Sequence, residues 1–135
     1  MENEKMIKVV MLEPGKLARA AEIDASLAGM QKVVGGLIEP FYPFEEQVCI
    51  VCNEESKING MRPNRSVKND DGVMVDFIFG PAFVCDCRGE NLDSLSDEQI
   101  DRYGKMFRYP EHFARVNGTL FGIPYRPQLQ PEQER

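Results

Sequence analysis

Tryptophan is absent from this chain, histidine occurs once, and no apolar run approaches the ~20 residues that a membrane-spanning helix requires. The amino-terminal M-E-N-E-K-M is charged and has no apolar signal-peptide core, so the expected location is the cytoplasm, with no membrane partner. Catalytic signatures are also missing. There is no G-x-S-x-G, no phosphate-binding G-x-x-x-x-G-K, no H-E-x-x-H and no dinucleotide fingerprint. The lone His112 follows Pro110 without a flanking motif, which reads as structural rather than as a general base. Glu45-Glu46 and Glu54-Glu55 are adjacent pairs, and neighbours on a strand face apart, so neither makes an acid/base dyad. The expectation is a non-enzymatic protein with no cofactor.

What is present is ordinary for a soluble domain. The 135 residues suffice for one core, with 42% hydrophobic and 28% charged residues, and 11 Gly and 9 Pro announce many turns. A net charge of −6 disfavours general nucleic-acid binding, which needs a broad basic surface. The four cysteines, Cys49, Cys52, Cys85 and Cys87, have C-x-x-C and C-x-C spacing. Cys49-Ile-Val-Cys52 lies in a strand-like run, however, and residues three apart on a strand point to opposite faces. No metal is expected, and the thiols read as small buried hydrophobes.

Along the chain, Met6–Leu12, a short Ala20–Asp24, an edge segment Leu37–Phe44 carrying Pro40 and Pro43, Gln47–Asn53, Val73–Phe79 and Ala82–Cys87 read as strands. Gly80-Pro81 reads as a reversal or a kink. Asp24 reads as the N-cap of a first helix bearing Leu27, Met30 and Val34 and stopped by Gly35-Gly36. A second helix is announced by Ser96 with Gln99 three residues on, a capping box, and by Leu95 with Ile100, a hydrophobic staple. Its apolar face is Ile100, Tyr103 and Phe107, and Pro110 closes it. The expected fold is α+β, a mostly antiparallel sheet of about five or six strands with two helices packed on it. Residues 1–121 form the expected globular domain, and 122–135 an extended or mobile Pro-rich tail.

The strongest functional lead is a cationic island. Lys57–Lys68 holds Lys57, Arg62, Arg65 and Lys68 with no acid, between flanks that carry acids and no base. Read as a connection, it suits an anion. The arginines would fork onto phosphate, and the lysines would add point charge. Asn59 and Asn64 would read a sugar or base, and Tyr42 or Phe44 would stack on it. The acids offer a rival surface. Glu90, Asp93, Asp97, Glu98 and Asp101 would address a basic partner in the manner of a DNA mimic or protein inhibitor.

Several segments taken together resemble a known family. These are I-K-V-V-M-L-E-P-G-K from Ile7, E-I-D-A-S-L from Glu22, V-G-G-L-I-E from Val34, Y-P-F-E from Tyr42, V-C-N-E-E-S-K-I-N-G from Val51, P-N-R at Pro63, F-I-F-G-P-A-F-V from Phe77 and S-L-S-D-E-Q-I from Ser94. Over residues 6–113 the chain resembles an uncharacterised family of small proteins, a domain of unknown function, from bacteriophages, prophages and conjugative elements. Ser56 stands where the family usually has Gly, and aliphatic residues are common there at the cysteine positions. The resemblance brings no catalytic residues. It implies an accessory, anti-defence setting in which a protein sequesters a small nucleotide-like signal or binds a host defence protein. Free strand edges would also suit a homo-oligomer.

Overall fold

The computed structural model describes residues 5–128. Its centre is a five-stranded antiparallel sheet built from β1 (Met6–Leu12), β2 (Arg19–Asp24), β3 (Ile38–Phe41), β4 (Val48–Asn53) and β7 (Ala82–Asp86), in the order β2-β1-β7-β4-β3. Strict alternation sorts its side chains. Val10, Leu12, Val48, Ile50, Ala82 and Val84 face one side, while Ile7, Val9, Met11, Cys49, Val51, Phe83 and Cys85 face the other. The innermost strands β4 and β7 are buried on both faces, which is why their sequences run apolar without alternation. Pro40 sits in β3 at the edge, where a missing N–H costs no ladder bond.

Helix α1 (Leu27–Val34) covers the second face through Met30 and Val34. Its N-cap is Ser26 rather than the expected Asp24: the Ser26 hydroxyl accepts from Gly29 N–H at 3.0 Å, and Asp24 in turn accepts from Ser26 N–H and hydroxyl. Gly35, with φ of 81°, ends the helix. Helix α2 (Asp97–Met106) covers the first face, and its capping box on Ser96 and Gln99 is fully formed. Tyr103 and Phe107 enter the core there, with Phe44 tilted against both at centroid distances of 5.2 and 6.5 Å. No helix among the described residues is long and apolar enough to cross a membrane.

Two small sheets lie outside the expected plan. The segment Pro63–Lys68, read as part of a connection, is strand β5, paired with β6 (Met74–Phe79). Only Val67 gives it an apolar signature, because its other inward residues, Asn64 and Arg65, are polar. Gly80-Pro81 is neither a hairpin nor a kink within one strand. It is the corner where the chain leaves the small sheet at β6 and enters the central one at β7. The expected tail starts within a hairpin, β8 (Glu111–Val116) and β9 (Thr119–Pro124), which carries regular structure to Pro124, past the boundary expected at 121. Asn117 (φ 51°) and Gly118 (φ 83°) form its two-residue turn with both φ angles positive, the reason Asn-Gly is favoured at such reversals. The expected tail beyond Gln128 lies outside the described residues.

The cysteines divide as strand geometry demands. Cys52 packs on the first face, with its thiol pushed up to about 11 by burial. Cys49 and Cys85 are cross-strand partners on the second, their sulfurs 3.7 Å apart.

Glu46 locks α2 to the β3–β4 connection. It accepts from Tyr103 hydroxyl (2.5 Å), Gln99 amide (2.9 Å) and both terminal nitrogens of Arg102 (2.8 and 3.1 Å). The Arg102 and Tyr103 donors hold its carboxyl down at about 2, against an ordinary 4.5. A depressed carboxyl contributes stability above its unfolded pKa, and that contribution fades as pH falls from 4.5 through about 2. Glu46→Gln should therefore cost about 1 kcal/mol at neutral pH, since a partly exposed pair is screened. Urea unfolding at neutral and acid pH should show the gap between the two proteins closing below pH 4.5. A gap that stays constant with pH would mean the carboxylate charge contributes nothing.

Candidate functional site

The cationic island does not converge. Arg65 is fully buried and spends its guanidinium inside the protein. Nε donates to Phe107 carbonyl (2.8 Å), one terminal nitrogen to Glu13 carbonyl (3.2 Å) and Asn64 Oδ1 (2.7 Å), and the other to Lys16 carbonyl (2.7 Å). Asn64 is equally buried and donates to Leu12 and Gly80 carbonyls at 2.9 and 2.7 Å. The P-N-R element thus ties the turn after β1, the corner before β7 and the end of α2 to one strand. Burial pushes the Arg65 guanidinium down to about 10, so it stays charged at neutral pH.

The other three cations face three different hollows. Lys57 pairs with Asp76 at 2.7 Å in a cleft of about 200 Å³ that Glu39 also lines. Arg62 lies over Gly15 beside an open hollow of about 320 Å³ with Glu13 and Lys16. Lys68, at the far end of β5 from Arg62, borders a groove of about 560 Å³. Asn59 and Tyr42 are exposed and line none of the three, and Phe44 is buried with its ring packed in the core. Of the eight residues expected at one site, only Lys68 and Phe44 border the groove. Three of the five acids of the rival surface are paired. Asp93 pairs with Lys5, Glu98 with Arg102 and Asp101 with Lys105.

The groove is therefore the leading candidate. The β5–β6 hairpin, the β8–β9 hairpin and the end of α2 wall it. Phe44 and Phe107 supply apolar floor, and Met106 (52% exposed) and Phe121 (46%) stand in its walls. Its two acids are already engaged: Asp70 accepts from Glu45 N–H at 2.9 Å, and Glu111 accepts from Ser66 N–H and hydroxyl at 2.9 and 2.6 Å. Lys68 has no carboxylate within 4 Å among the described residues, so it is the one groove side chain whose charge is held by no ion pair or hydrogen bond. His112 lies outside the groove, on the hairpin's outer face, stacked on Tyr125 with centroids 4.0 Å apart.

Sequence reasoning missed Met106, Glu111 and Phe121 because it missed the hairpin that brings them together. The Asn117-Gly118 pair between two short runs bearing Phe113, Val116, Leu120, Phe121 and Ile123 was the available signal.

No curated protein and no solved structure matches this chain. A family model described as "Domain of unknown function (DUF3846)" matches residues 7–108, and with three quarters of its length covered the chain belongs to that family.

Proposed function

We propose that the protein is a non-enzymatic binding module that captures an apolar-anchored segment of a partner protein in the groove between its two small hairpins. The observation that carries this reading is the groove itself, with a Phe44–Phe107 floor, exposed Met106 and Phe121 walls and few uncommitted polar groups. Such a lining recognises shape and apolar side chains. Methionine and aromatic residues are also what adaptable protein-binding surfaces use. The small anionic nucleotide-like ligand gains less support, since one cation alone borders the groove. An accessory role in a bacteriophage or mobile element, acting in the host cytoplasm on a defence protein, fits capture of this kind and follows from the family resemblance.

The test is selection of peptides from a random display library on the immobilised protein, then fluorescence anisotropy of the recovered peptides. Paired Met106→Asp and Phe121→Asp substitutions should weaken binding by about tenfold or more, because each places a charge on an apolar contact, while circular dichroism stays unchanged. Peptides indifferent to both substitutions would overturn the groove. A cyclic dinucleotide titrated in parallel decides the smaller-ligand reading: binding that Lys68→Ala abolishes would replace the peptide.

A further inference from the structure

We infer that the β8–β9 hairpin selects the partner by charge, and that the captured segment is acidic. This rests on the groove reading and names its ligand class. The family match ends at residue 108, so the hairpin stands outside the matched region. Residues 105–128 carry Lys105, Arg108, Arg115 and Arg126 against one acid, Glu111, in a chain of net charge −6. Glu111 is turned inward onto Ser66, and Lys105 is paired with Asp101. Arg108, Arg115 and Arg126 are exposed, and none has a carboxylate within 4 Å among the described residues.

Geometry joins Arg108 and Arg126 to the groove, while Arg115 donates to the Gly118 carbonyl at 3.2 Å beside the hairpin turn. Pro124 lines both the groove and a neighbouring open hollow formed with Tyr109, Tyr125 and Arg126. Arg108 and Arg126 lie over the Tyr109 ring at 5.6 and 5.5 Å, which holds both guanidinium groups beside that hollow. Phe121 stands at the rim where the groove meets the hairpin's outer face, and Val116 (54% exposed) and Ile123 (51%) continue that face as apolar surface. An apolar strip with Arg108 and Arg126 at one end complements a segment that alternates acidic and apolar side chains.

Nucleic acid fits less well. Single strands are bound on open aromatic faces. Here Tyr109 is covered by arginine, and His112 and Tyr125 cover each other.

Three probes test this on the full chain by fluorescence anisotropy: peptides of about eight residues alternating Glu with Leu or Lys with Leu, and an oligothymidine of about 15 nucleotides. The Glu-Leu peptide should bind at least about tenfold more tightly than the Lys-Leu peptide, and weaken as salt rises. Combined Arg108→Gln, Arg115→Gln and Arg126→Gln should erase that preference while the melting temperature holds. Equal binding of both peptides overturns the charge inference and leaves the groove standing. Binding of neither overturns both. Tighter binding of oligothymidine than of the Glu-Leu peptide replaces the protein segment with a nucleic acid.

Discussion

Arg65→Met is expected to cost about 3–5 kcal/mol of folding stability. The reasoning is an accounting of acceptors. Three backbone carbonyls, of Glu13, Lys16 and Phe107, and the Asn64 side-chain oxygen all accept from one guanidinium in the interior. Methionine matches much of the volume and none of the donors, so those buried oxygens lose their partner, each at a cost of about 1–3 kcal/mol before relaxation. Water reaching some of them limits the total. Domains of this size hold only about 5–15 kcal/mol in reserve, so the variant should be substantially unfolded when warmed. Arg65→Lys keeps the charge but replaces a planar fork with a single point donor, and should recover less than half the loss. Urea midpoints for the two variants check both statements. A loss below about 1 kcal/mol for Arg65→Met would show the guanidinium to be dispensable and reopen a ligand role for it.

That residue shows why the site was harder to read than the fold. The central sheet was legible because its strands announce themselves by apolar β-branched runs, and α2 because Ser96, Gln99, Leu95 and Ile100 form a local code needing no tertiary information. Edge placement of β3 followed from Pro40 and Pro43. The cationic island failed as a site because charge in a sequence carries no direction. Arg65 and Lys68 lie three residues apart on one strand, and that spacing sends one into the core and the other to the groove. A buried arginine satisfied by carbonyls leaves no signature beyond its type, since its partners come from positions 13, 16 and 107. Glu46 is the mirror case. It lies among acids without a nearby base in sequence, yet folding delivers Arg102 to it. The acidic blocks therefore say less about a partner than their sequence density suggests, because α2 carries its own counter-charges at positions 102 and 105.

Gly122→Ala should loosen the docking of the terminal hairpin on the domain without unfolding the core. A methyl at this position would collide with the Glu111 carboxylate and stand 2.8 Å from the Ser66 hydroxyl, so Glu111 must swing away or β9 must back off from β5. Moving Glu111 away breaks its bonds to Ser66 N–H and hydroxyl and leaves that amide unpaired in a half-buried position. About 2–3 kcal/mol is at stake, and it is local. Phe113 remains edge-on to Phe77 and Phe79 at 5.0 and 5.2 Å, which opposes complete release. Hydrogen exchange should therefore show residues 111–124 losing protection while β1, β4 and β7 keep theirs. Because Glu111, Phe121 and Pro124 wall the groove beside Gly122, binding should fall with the same substitution although the groove's other side chains are unchanged. Glu111→Gln retains an acceptor for Ser66 and should preserve most of the docking, which separates the steric cause from the charge. Loss of protection across the central sheet in Gly122→Ala would mean that hairpin and core fold as one cooperative unit, and the groove would then be part of the core's architecture rather than a surface assembled on it.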